Sequence, residues 1–127
     1  MNLLLDTHAL IWFTEGIEKL SSKAKSEISN PSNNKLLSVA SLWEIAIKSS
    51  KNKLEIKQTF KEINQFIALN NIQILGIEIN HLSTLLTLPY HHGDPFDRLL
   101  ISQAITENLS IISADRHFVA YPVQVVW

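Results

Sequence analysis

Cysteine is absent from the chain, which removes disulfides, thiolate zinc sites and cysteine nucleophiles together and fits a reducing compartment. The three glycines include no Gly-rich phosphate loop, so P-loop nucleotide hydrolysis is disfavoured. No run of about 18 uncharged apolar residues exists to span a membrane, and Met1 to Leu5 lacks the basic start and apolar core of an export signal. A soluble, cytoplasmic protein with no membrane partner is expected. Repeats of solenoid period and low-complexity tracts are missing as well. What the chain does have is 127 residues that are 46% hydrophobic, enough for a single domain over residues 1–127 with one buried core.

The net charge is only −1, but it is unevenly spread. All nine lysines fall between Lys19 and Lys61, opposed there by Glu27, Glu44 and Glu55, a local balance of +6. Elsewhere Arg98 and Arg116 face nine acids, a balance of −7. A basic region beside an acidic one suits a metalloenzyme acting on a polyanion. Solvated helix faces account for the lysines equally well.

Short β-branched and leucine-rich runs alternate with helical spacing. Strands are expected at Asn2–Leu5, Lys35–Val39, Ile72–Leu75, Leu109–Ile112 and Val123–Val126. Helices are expected at Thr7–Thr14, Ser21–Ser29, Ser41–Ser50, Thr59–Asn70, Ile79–Leu86 and Pro95–Asn108. This alternation predicts an α/β fold with a parallel sheet covered on both faces.

Four acids stand where strands give way to turns or early helices: Asp6, Glu44, Asp97 and Asp115. Each has a purely structural explanation. Asp6 can cap the helix starting at Thr7, and Ser41 to Glu44 matches a capping box. Asp94-Pro95-Phe96-Asp97 reads as a cap, a first-turn proline and a dipole-favoured acid. Asp115 suits a turn. Yet a parallel sheet gathers all four at the carboxyl ends of its strands, where ligands bind. Carboxylates about 4–6 Å apart raise one another's pKa unless a cation intervenes. Oxygen donors without cysteine point to Mg²⁺ or Mn²⁺. The adjacent His91-His92 pair, as a zinc or iron site, lacks the i, i+4 spacing of helical ligands. His8 reads as a packing residue or a support behind the acids, and His117, near Asp115, as a surface residue ahead of an aid to phosphate binding.

The segments Leu3-Leu4-Leu5-Asp6-Thr7-His8-Ala9-Leu10, Ser41-Leu42-Trp43-Glu44-Ile45-Ala46-Ile47-Lys48 and Asp94-Pro95-Phe96-Asp97-Arg98-Leu99-Leu100-Ile101, followed by Ser113-Ala114-Asp115-Arg116-His117-Phe118, resemble the PIN-domain family. Within it they are most similar to the VapC-like toxins of bacterial type II toxin–antitoxin systems. The resemblance runs over nearly the whole chain. It implies a three-layer α/β/α fold with a central, mainly parallel sheet. It further implies an Mg²⁺- or Mn²⁺-dependent endoribonuclease whose catalytic and metal-binding acids are Asp6, Glu44, Asp97 and Asp115, supported by Asp94, Ser113 and Thr7. RNA is the implied substrate. A small antitoxin is the implied protein partner, with a homodimer or a hetero-oligomer containing the antitoxin as the assembly.

Asn52 stands where relatives commonly carry glycine, and asparagine tolerates the left-handed backbone a helix end requires. Two other readings stay open. Asp6 could be the nucleophile of an aspartyl phosphatase, although His8 occupies the place where that chemistry wants a second aspartate. A non-catalytic binding module could share the fold, although it has no chemical need for four acids.

Overall fold

β1 (Asn2–Leu5) is central in the sheet, which runs β3-β2-β1-β4-β5 with every neighbouring pair parallel. The structure is a computed structural model and describes residues 1–16, 18–52 and 56–127. The remaining elements, in chain order, are α1 (Thr7–Glu15), α2 (Ser22–Ser29), β2 (Asn34–Ser38), α3 (Val39–Ser50), α4 (Phe60–Leu69), β3 (Ile72–Leu75), α5 (Ile79–Leu86), α6 (Pro95–Glu107), β4 (Ser110–Ile112), a 3₁₀ turn (Arg116–Ala120) and β5 (Val125–Val126). Among the described residues, no helix is long and apolar enough to cross a membrane.

The period-2 geometry of a strand explains the apolar runs. Leu3 and Leu5 point to one face, where they join Ile112, Leu37 and residues of α1, α2 and α4 such as Leu10, Ile28 and Ile63. Leu4 and Ile111 point to the other face, against Leu100, Ile101 and Ala104 of α6 and Phe118. Both faces of β1 and β4 are therefore covered, and the strands read as continuous apolar runs rather than alternating ones. This is the three-layer α/β/α arrangement that the sequence implies. Leu4 is fully buried, so Leu4→Ala is expected to cost about 2–5 kcal/mol. The loss would be read as a lower urea midpoint at unchanged m-value.

One local expectation is corrected. α3 begins at Val39, two residues before Ser41, because Ser38 is the cap and its hydroxyl accepts the Ala40 amide at 3.0 Å. Ser41 and Glu44 therefore lie inside the helix and form no capping box, which frees the Glu44 carboxylate for other contacts. After α3, Asn52 has φ 53°, the left-handed conformation expected of an asparagine in place of glycine. The following Lys53 and Leu54 lie outside the described residues.

Candidate active site

Asp6 leaves the end of β1 and caps α1, its Oδ1 accepting the Ala9 amide at 2.7 Å. Only 6% of the residue is exposed. Burial pushes its pKa up to about 6, against the lowering effect of hydrogen bonds from the Ser113 hydroxyl and the Ala9 amide.

Thr7 is the next residue, and it couples β1 to α3. Its hydroxyl donates to Glu44 Oε1 at 2.7 Å, with Ser41 Oγ at 3.0 Å. The other Glu44 oxygen takes the Lys48 ammonium one helical turn later. That contact holds the Lys48 pKa above its usual value. Glu44 is buried and satisfied on both oxygens, by a hydroxyl and a lysine.

α6 supplies the third acid. Asp94 caps the helix, its Oδ1 accepting the amides of Phe96 (2.8 Å) and Asp97 (3.1 Å), with Pro95 in the first turn. Asp97 follows in the same turn, and its pKa rises to about 8. Burial contributes most, followed by the charges of Asp94, Asp6, Glu44 and Asp115. Four carboxylates acting on a fifth is the electrostatic signature of a place prepared for a cation.

Asp115 follows β4 and caps the 3₁₀ turn through the His117 amide, at 2.9 Å. Its own amide donates to Ser113 Oγ at 3.0 Å. Partial burial works to raise its pKa, but the His117 amide and the imidazoles of His117 and His92 outweigh it and hold the carboxyl below its usual range.

Asp6, Asp97 and Asp115 line one cleft of about 290 Å³ with His8, Trp12 and Ala114. Glu44 is not on that lining; it reaches the same place through Thr7 and through its charge on Asp97. The topology therefore brings together residues from the ends of β1 and β4, the interior of α3 and the start of α6. Asp6, Asp94 and Asp115 are helix caps, and Asp6 and Asp115 line the cleft, so capping and a place at the cleft are compatible.

His92 is the residue the sequence reading set aside. Its Nε2 lies 2.8 Å from Asp115 Oδ2 and 3.1 Å from Asp97 Oδ2, tying the two acids together. Its Nδ1 accepts the Asp94 amide at 3.2 Å. A usable signal existed: His92 sits two residues before a helix cap, so its ring folds back over the helix start.

The oxygen donor set fits a hard divalent cation. Asp6, Asp97 and Asp115 present carboxylate oxygens to one cleft, and Glu44 adds its charge behind it.

Comparisons with known proteins agree with the geometry. No curated protein matches the sequence. Among solved structures, VapBC2 from Rickettsia felis bound to a DNA fragment from their promoter has 18% identity and TM-score 0.71, with 98% of this chain and 97% of that chain covered. A toxin–antitoxin complex from Klebsiella pneumoniae has 21% identity and TM-score 0.65, covering 98% and 96%. VapBC-1 from nontypeable Haemophilus influenzae has 15% identity and TM-score 0.62, again covering 98% and 96%. At these identities the likeness establishes the fold. The family model described as PIN domain matches residues 3–123, and the chain belongs to the PIN domain family.

Proposed function

We propose that this chain acts as one domain, a metal-dependent endoribonuclease, and serves as the toxin of a type II toxin–antitoxin pair. The observation that carries the reading is the convergence of Asp6, Glu44, Asp97 and Asp115, with Asp97 raised to about 8 by burial and its acidic neighbours. Asp6, Glu44 and Asp97, with Asp115, hold Mg²⁺ or Mn²⁺. When bound, such an ion lowers the pKa of a water and offsets the charge that builds on the phosphate.

The protein's own residues position the parts. Ala9 and Ser113 direct Asp6, Thr7 and Lys48 direct Glu44, and the Asp94 cap fixes the turn that carries Asp97. Hydrolysis leaves a 5′-phosphate and a 3′-hydroxyl. Lysines from the Lys19 to Lys61 region hold the RNA backbone, contacts that position a strand without reading its sequence. The similar structure from Klebsiella pneumoniae is a toxin–antitoxin complex, which supports an antitoxin partner for this chain; the assembly proposed is a homodimer or a hetero-oligomer with that antitoxin.

The test is cleavage of a labelled RNA panel by purified protein in Mg²⁺, Mn²⁺ or EDTA, beside an Asp6→Asn, Asp97→Asn double variant purified identically. Metal-dependent cutting by the wild type alone is expected. Equal cutting by both proteins would mark a contaminant. Silence from folded wild-type protein that also fails to bind Mn²⁺ would favour a non-catalytic binding module.

A further inference from the structure

Beside the carboxylates lies a cluster with a different donor set. One ligand atom each from His92, Asp115 and His117 lies within 4.8 Å of the others. Both imidazoles contact the Asp115 carboxylate at 2.8 Å, His92 through Nε2 and His117 through Nδ1. Their ring centroids are 4.8 Å apart. The three residues come from two separate loops.

The loop that brings His92 is firmly built. The Tyr121 hydroxyl accepts the amides of His91 and His92, each at 2.9 Å, and donates to the Pro89 carbonyl at 2.7 Å. Arg98, buried in α6, makes no carboxylate contact among the described residues. It spends its guanidinium on the carbonyls of Leu88 (3.1 Å) and Pro89 (2.9 Å), with the Tyr90 ring 3.7 Å from its central carbon. Burying a cation against neutral carbonyls is costly, and what this arrangement secures is the position of the Leu88 to His92 backbone. The side chain of His92 is only 11% exposed, while that of His117 is 63% exposed. One ligand is thus rigid and the other accessible to an arriving ion.

We propose that His92, Asp115 and His117 form a second cation site, selective for a nitrogen-preferring divalent transition ion of the Zn²⁺ or Co²⁺ type. Two imidazoles and one carboxylate are a donor set that such ions accept and Mg²⁺ does not favour. Loading requires the two nitrogens that face Asp115, His92 Nε2 and His117 Nδ1, each to be without a proton. In each neutral ring the proton then sits on the other nitrogen, His117 Nε2 and His92 Nδ1, the latter as the 3.2 Å contact from the Asp94 amide opens. Asp115 is common to both sites, so an ion held by the histidines draws this carboxylate away from the oxygen-lined one. The inference stands independently of the nuclease reading, since it concerns binding alone.

The experiment uses tag-free full-length protein carrying Asp6→Asn and Glu44→Gln, which weakens the carboxylate site and leaves the histidine cluster intact. Zn²⁺ binding is followed by calorimetry, Co²⁺ binding by its visible absorption bands, and the imidazole ¹⁵N resonances by NMR. Saturable binding of one equivalent is expected, with the His92 and His117 resonances shifting and that of buried His81 unmoved. His117→Ala, at an exposed position, should lower Zn²⁺ affinity by at least about tenfold. Unmoved His92 and His117 resonances, or unchanged Zn²⁺ affinity in His117→Ala, would overturn the site. Mg²⁺-dependent RNA cleavage by the wild type alongside silent histidines would overturn it while leaving the nuclease reading in place.

Discussion

Asp97→Asn is expected to reduce RNA cleavage by roughly 10²–10³-fold or more while making the metal-free protein more stable at alkaline pH. The two effects have one cause. Asn keeps the shape of the side chain but cannot supply the charge that holds a cation. The same charge is a burden when no cation is present. Asp97 has the ordinary carboxylate pKa of 3.8 when unfolded and a pKa of about 8 when folded, so the folded protein binds the extra proton. Its stabilising contribution is complete below about pH 4 and is lost as pH rises through about 8. Above that, ionised Asp97 bears the cost of its burial and of repulsion from Asp94, Asp6, Glu44 and Asp115, together on the order of a few kcal/mol. Urea unfolding of both proteins in EDTA at about pH 5 and about pH 9 would measure this. A variant that cuts RNA as well as the wild type, or that gains no stability at alkaline pH, would contradict the assignment.

The second large effect is a linkage between metal and protons. Mn²⁺ or Mg²⁺ should raise the melting temperature far more at pH 8 than near pH 5.5. Coordination requires Asp97 (about 8) and Asp6 (about 6) to release their protons. Below its pKa, each such group costs up to about tenfold in apparent affinity per pH unit. At about 100 times the dissociation constant an ion contributes about 2.7 kcal/mol, which in a chain of this size shifts the melting temperature by about 10 °C. Asp97→Asn should lose most of that gain. A thermal shift independent of pH between 5.5 and 8 would mean that the ion sits elsewhere.

How far the fold could be read in advance follows from which forces act locally. The strands at β1 and β3 were legible to the residue because their apolar runs end at polar or turn residues, Asp6 after Leu5 and Gly76 after Leu75. The start of α3 was not, because two serines, Ser38 and Ser41, both satisfy capping preferences and only packing decides between them. The 3₁₀ turn at Arg116–Ala120 went unread, since five residues give too little periodicity to register. The acids were found through strand-end placement, a topological argument. His92 escaped because its partners, Asp97 and Asp115, meet it only in three dimensions, and the loop that aims it is held by Tyr121 and Arg98 from elsewhere in the chain.

The central position of β1 has a consequence for synthesis. Asp6 is made well before Asp115, and β1 finds its neighbours only in β2 and in the much later β4. On the order of 100 residues separate Asp6 from Asp115. At roughly 5–20 residues per second, a growing chain spends about 5–20 seconds with a partial sheet and an unassembled cluster of acids. The proposed four-acid site can therefore be completed only after Asp115 has been made, because the segment that carries Asp6, Glu44 and Asp97 lacks both β4 and the fourth acid.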